Sequence, residues 1–144
     1  MTPTTATLST DALIAHLLER YHDTHRRELP ALIERAQRLS PSLGLALQAI
    51  AETLEMHQFK EEMRLFPMME QGGSTLVHLL VADMEGEHER QQADLRQLQA
   101  MIDAHDVASH DPELRQGLDK LFDDLHEHMR LEDDELFPRF HPGR

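Results

Sequence analysis

The sequence predicts an all-α fold: an up-down-up-down antiparallel four-helix bundle. Three observations predict it. Apolar residues recur by threes and fours over long windows, and no window alternates with strand periodicity. Only six Gly and seven Pro are present, and most fall at the breaks between those windows. The linkers at the breaks are short, which makes successive helices antiparallel neighbours. A chain of 144 residues with 40% apolar content fits a single domain around a single core.

The elements follow in order. Residues 1–8 read as a disordered N-terminus and 9–144 as the folded domain. Ser9 or Thr10 caps a first helix that runs to about Leu39, with Pro30 expected to kink it. Ser40-Pro41-Ser42 ends it and caps the second, which runs to about Glu70 and stops at Gly72-Gly73. Ser74 caps the third, to about Ala104, and the polar stretch 105–110 follows. Asp111-Pro112-Glu113 places a cap, a proline in the first turn and an acid near the positive end of the fourth helix, which runs to about Phe140. Pro67 and Pro138 should bend or end the second and fourth helices.

Composition narrows the function. No Cys is present, which excludes disulfides, thiolate metal sites and cysteine nucleophiles. Asp plus Glu number 27 against 14 Lys plus Arg, for a net charge of −13. Such a chain repels phosphate backbones and anionic membrane surfaces, so neither nucleic acid nor membrane is expected as a partner. No apolar run approaches the roughly 20 residues of a membrane span, and MTPTTATLST has no secretory features. A cytoplasmic protein is the expectation. The unusual count is His, at 11.

Those histidines interrupt the apolar seams. The second helix reads Leu43, Leu47, Ile50, Leu54, then His57 and Glu61, then Leu65 and Met68. The fourth reads Leu114, Leu118, Leu121, Leu125, then His128 and Glu132, then Leu136. The third carries His88 and Gln91 between Met84 and Leu95; the first carries His22 and His25 between Leu18 and Leu29. Counted from the helix starts, these positions lie near mid-helix, within roughly a turn or two of one plane. An ionised carboxylate in a core needs a partner, and no Lys or Arg lies on these seams. A pair of divalent cations supplies one: against two glutamates and a bridging hydroxide, the residual charge is about +1. Periodicity alone does not separate His22 from His25.

The second and fourth helices also share a repeat. His57-x3-Glu61-x3-Leu65-Phe66-Pro67 recurs 71 residues later as His128-x3-Glu132-x3-Leu136-Phe137-Pro138. A His and a Glu four apart project from one helix face toward one centre. A lone pair of this kind is common on solvated helices; two copies, both on the apolar seam and both followed by LFP, are specific. Imidazole with carboxylate suits several first-row metals, and carboxylate bridges between two octahedral ions favour iron over zinc.

The stretches ERYHDTHRRELPALI at 19–33, HQFKEEMRLFPMM at 57–69, MEGEH at 84–88 and LFDDLHEHMRLEDDELFPR at 121–139 resemble the hemerythrin-like, or HHE cation-binding, domain. Within it the chain is most similar to the C-terminal domain of the RIC (repair of iron centres) di-iron proteins, over about residues 12–140. The resemblance implies two iron ions with an oxo or hydroxo bridge. It implies His22, His57, His88 and His128 as terminal ligands, with Glu61 and Glu132 bridging.

Two departures stand out. RIC domains carry a further His ligand after the first motif, where this chain has ERAQRLSPSLGL. Hemerythrins proper use a His pair four apart on the third helix, where this chain has Met84 and Gln92 around His88. One ligand place is left to water, His25 or Glu87. RIC proteins also carry a cysteine-containing N-terminal domain with no counterpart in this sequence.

The expected function is reaction with small diatomics, NO and O2, in stress response or iron-centre repair. A reversible oxygen carrier or redox sensor ranks second, and a metal-free or zinc-stapled interaction module third. Phe59 and Phe66 are expected beside the centre. Glu62 and the acids after Glu132 are expected on a solvated face, with His16, His78, His105, His110, His126 and His141 on the surface or in loops.

Overall fold

The computed structural model describes residues 5–140, and every regular element among them is a helix. Thr5–Thr7 form one 3-10 turn, in which Thr5 donates a hydrogen bond to Glu135 (2.7 Å). The first long helix, α1, joins three stretches end to end: Thr10–His16, a π-helical turn Leu17–His22, and Asp23–Leu39. The second, α2, comprises Pro41–Lys60, a π-helical turn Glu61–Leu65, and Phe66–Glu70. The third, α3, is Thr75–Ala104. The fourth, α4, comprises Pro112–Arg130, a π-helical turn Leu131–Leu136, and a 3-10 end Phe137–Phe140. His141, assigned above to the surface, lies outside the described residues, as do residues 1–4.

The caps explain the boundaries. Ser9, Ser40 and Asp111 each accept from the backbone N–H three residues on, satisfying a donor that the first turn would otherwise leave free. Ser74 differs from expectation: its side chain makes no cap bond, and its carbonyl accepts from Val77 instead. Gly72 and Gly73 have φ of 102° and 84°, which an L side chain adopts only with strain, so α2 stops there. The polar linker contains its own turn, Val107–His110, anchored by the fully buried Val107.

The π turns fall beside the polar residues of the seams. In each, a backbone N–H reaches five residues back: Asp23 to Leu18, Phe66 to Glu61, Phe137 to Glu132. In α2 and α4 a proline follows directly. A proline ring clashes with the carbonyl four residues earlier, and the widened turn relieves that clash. The extra residue also brings position i+5 to the inner face. Phe66 and Phe137, five after Glu61 and Glu132, are therefore buried to within 1%. The expectation for Pro67 and Pro138 thus resolves as a π turn just ahead of each. Asp23–Leu39 continues through Pro30 as one helical stretch.

Side-chain packing forms two apolar clusters. One gathers Leu29, Ala36, Leu47, Leu98, Leu114 and Leu121 with their neighbours. The other gathers Leu17, Leu65, Phe66, Met84, Leu136 and Phe137 with theirs. All four long helices contribute to both, and the polar interruptions of the seams fall where each helix passes from one cluster to the other. Gly44 lets α2 approach α1 closely, since a Cβ there would sit 2.1 Å from the Gln37 side chain.

Candidate metal centre

His57 lies in the last turn of the regular part of α2 and Glu61 opens its π turn; in α4 His128 lies in the last regular turn and Glu132 is the second residue of the π turn. His22 closes the π turn of α1, and His88 sits midway along α3. All six side chains are at most 2% exposed. They converge in two groups: His22, Glu61, His128 and Glu132; and His57, Glu61, His88 and Glu132. Within each group the potential ligand atoms lie within 4.8 Å of one another. Glu61 and Glu132 belong to both.

The inner atoms are arranged consistently. The Nε2 atoms of His22 and His128 face each other at 3.1 Å, and those of His88 and His57 at 3.0 Å. Glu61 lies 3.3 Å from His22 Nε2 and 3.4 Å from His57 Nε2, one oxygen to each. Glu132 lies 2.9 Å from His88 Nε2 and 3.2 Å from His128 Nε2, again one oxygen to each. None of the four carboxylate oxygens has a hydrogen bond of acceptable geometry, though all are buried. Four lone-pair-bearing nitrogens and four unsatisfied oxygens around one space fit a pair of cations. A buried carboxylate left without either would carry a prohibitive desolvation cost.

The outer ring nitrogens are held from behind. His22 donates from Nδ1 to Glu62 (2.6 Å), His57 to Glu87 (3.0 Å) and His88 to Asp133 (2.7 Å). A carboxylate at Nδ1 fixes the proton there and leaves the Nε2 lone pair facing inward, the arrangement a metal-ligating histidine uses. Arg26 pairs with Glu62 (2.9 Å) and Lys60 with Glu87 (2.8 Å), so two of these acids are themselves held. The fourth ring differs: His128 Nδ1 lies 3.3 Å from His25 Nε2. His25 and Glu87 thus both stand behind a histidine, and neither belongs to the two inner groups.

The acids off the seam correct the solvated-face reading. Glu62 and Asp133 follow the two inner glutamates directly, are only partly exposed (24% and 29%), and each supports a histidine on another helix. Glu135 is likewise largely covered and pairs with Arg130. The signal for Glu62 and Asp133 was an acid at the same place in both copies of the repeat, after Glu61 and after Glu132. Phe59 also departs from expectation. It is 55% exposed because, two residues after His57, it points from the opposite face of α2. Phe66 beside His22 and Phe137 stacked on His88, both at 5.8 Å between ring centres, supply the apolar wall.

Without a cation the electrostatics favour protons. Burial opposes charge on His57, but Glu61 and Glu132 outweigh it and push the ring up to about 11. His88 is raised in the same way to about 9, with Asp133 and Glu132 overcoming burial. Burial raises the cost of a charged Glu132, yet the surrounding imidazoles hold it well below the ordinary carboxylate range. His25 goes the other way, to about 3, through burial and the neighbouring His128 and His22. Metal binding would replace the protons on the inner histidines.

Residues 13–140 match the family model for the hemerythrin HHE cation binding domain. The chain is 34% identical over 143 residues to the iron-sulfur cluster repair protein YtfE of Dickeya chrysanthemi (strain Ech1591), covering 88% of this chain and 64% of the relative. The protein of that name from Enterobacter sp. (strain 638) is 35% identical over 147 residues, covering 92% and 67%. That from Yersinia pestis (strain Pestoides F) is 35% identical over 141 residues, covering 88% and 64%. This chain therefore spans about two thirds of the length of these relatives. The chain belongs to the hemerythrin HHE cation-binding domain family.

Proposed function

We propose that the protein is a non-haem di-iron protein that reacts with NO and O2 and serves the repair of iron centres under nitrosative or oxidative stress. The observation that carries the reading is the shared pair Glu61 and Glu132, whose four buried oxygens are otherwise unsatisfied and whose two sides each meet two imidazoles. His22 and His128 would hold one ion and His57 and His88 the other, with Glu61 and Glu132 available to both. The frame is an up-down-up-down four-helix bundle, in which each long helix contributes at least one of the six residues. The names of the relatives support the repair role, which extends to this chain as part of the same proposal.

When bound, a ferrous pair supplies the electrons that a diatomic ligand accepts. The protein's residues do the rest. Outer acids direct the Nε2 lone pairs of His22, His57 and His88 inward, and the glutamates would hold the two positions at one spacing. Phe66 and Phe137 exclude water from the inner faces of His22 and His88. Four histidines for two ions leave at least one coordination place to exchangeable solvent, which favours reaction over reversible carriage.

Metal analysis of protein produced in iron-rich medium should give close to two iron per chain; one zinc and no iron would overturn the reading. The ferrous protein should bind NO readily, seen in its visible spectrum, and should be oxidised by O2. A visible band that appears with O2 and vanishes under vacuum would move the reversible oxygen carrier to first place.

A further inference from the structure

The outer support of the four histidines follows an approximate twofold pattern. The acid after each inner glutamate serves a neighbouring helix: Glu62 from α2 holds His22 of α1, and Asp133 from α4 holds His88 of α3. The return contacts run from α3 to α2 and from α1 to α4. On one side Glu87, beside His88, holds His57; on the other His25, one turn from His22, meets His128. The pattern breaks at this last contact alone. Three rings donate to a carboxylate, and the fourth faces an imidazole.

His25 cannot substitute for a carboxylate. It is completely buried, stacks on His128 at 5.4 Å between ring centres, and brings no negative charge to that ring. With Nε2 accepting from His128, the proton of His25 sits on Nδ1, and that atom has no hydrogen-bond partner. An imidazole draws on the Nδ1 proton of His128 less than a carboxylate would, so His128 is the poorest electron donor of the four. Tyr21, stacked on the same ring at 5.6 Å, adds no charge.

Resting on the di-metal reading above, we infer that His25 makes the two ion positions unequal: the His57/His88 position fills first and holds tightly, and the His22/His128 position fills second and empties first. His25 is a positioning residue, acting through His128. Loss of an outer partner of a ligating histidine typically costs about 10- to 100-fold in metal affinity, which sets the separation expected between the two positions.

The test uses cobalt(II) alone, titrated anaerobically into the metal-free full chain against a competing chelator. Two binding constants separated by about 10- to 100-fold are expected. In crystals grown at one equivalent, anomalous scattering should mark the His57/His88 side. H25E offers His128 a carboxylate, and should raise the second constant to within a few-fold of the first while leaving the first unchanged. H25Q, another neutral acceptor, should preserve the wild-type separation. D133N removes support from the tight side at a partly exposed residue, and should lower the first constant, so the test stands even where H25E fails to fold. Equal constants in the wild type, a first ion at His22/His128, a folded H25E with an unchanged second constant, or D133N with an unchanged first constant would each overturn the inference. Absence of any cobalt binding by the wild type would instead overturn the di-metal reading itself.

Discussion

The two copies of the repeat, 57–67 in α2 and 128–138 in α4, are alike on their inner side and unlike on their outer side. Inside, each presents a histidine and a glutamate one turn apart, then a π turn, then a buried Leu-Phe pair. Outside, His57 leans on Glu87, which Lys60 holds in place, whereas His128 leans on the neutral His25. The inner geometry is local: spacing along one helix determines it. The outer support comes from another helix, so a shared local motif does not guarantee an identical electronic setting.

The strongest way to break the likeness is to remove an inner glutamate. Glu61→Ala and Glu132→Ala should each abolish the paired site, because each carboxylate contributes to both groups. Metal content should fall from two equivalents to one or none. Retention of two ions by either variant would show that the glutamates do not bridge.

The Leu-Phe pair gives the next effect. Phe66→Ala and Phe137→Ala should each lower stability by about 3–5 kcal/mol, the usual loss for a buried aromatic. Phe59→Ala, on an exposed face, should change it by less than about 0.5 kcal/mol. Thermal or denaturant unfolding of the metal-free protein makes the comparison. Similar losses at Phe59 and Phe66 would mean the π turn does not rotate Phe66 inward.

This contrast shows what the sequence disclosed and what it concealed. The burial of Glu61, Glu132 and the four histidines was legible because they break an apolar register at core positions. Phe59 was misplaced because proximity in sequence does not fix the face: two residues after His57 on a regular helix, it stands on the opposite side. Phe137 was missed for a related reason: only a five-residue step carries it inward from Glu132. Glu62, Asp133 and Glu87 lie one residue off the buried register, and their partners are on other helices. A period along one helix carries no information about such a contact. The doubled acid in both copies of the repeat was the available sign.

Outer-side substitutions sharpen the comparison with smaller effects. Glu62→Ala should weaken metal retention by about 10- to 100-fold without abolishing it, as loss of an outer partner does. His22 would lose the acceptor at 2.6 Å that fixes its proton on Nδ1. A chelator competition on Glu62→Ala and Glu61→Ala side by side measures the difference. A Glu62→Ala protein indistinguishable from wild type would mean that the Arg26-held carboxylate contributes nothing to the centre.

The gentlest perturbation is pH, applied to the metal-free protein. His57 and His88 have folded values near 11 and 9, above the ordinary 6.5. A group raised on folding binds its proton more tightly in the native state. Its stabilisation is complete below the unfolded value and is lost as pH rises through the folded one. The metal-free melting temperature should therefore fall as pH rises from about 6.5 through 9. The loss should continue toward 11 as His57 gives up its proton to leave Glu61 and Glu132 unpaired. Metal ions replace those protons, so the metal-loaded protein should show a shallower decline over the same range. Melts of both forms across that window decide the matter. A metal-free melting temperature that holds steady or rises with pH would show that the buried carboxylates are not balanced by protonated histidines, and would remove the electrostatic argument for cation replacement at the centre.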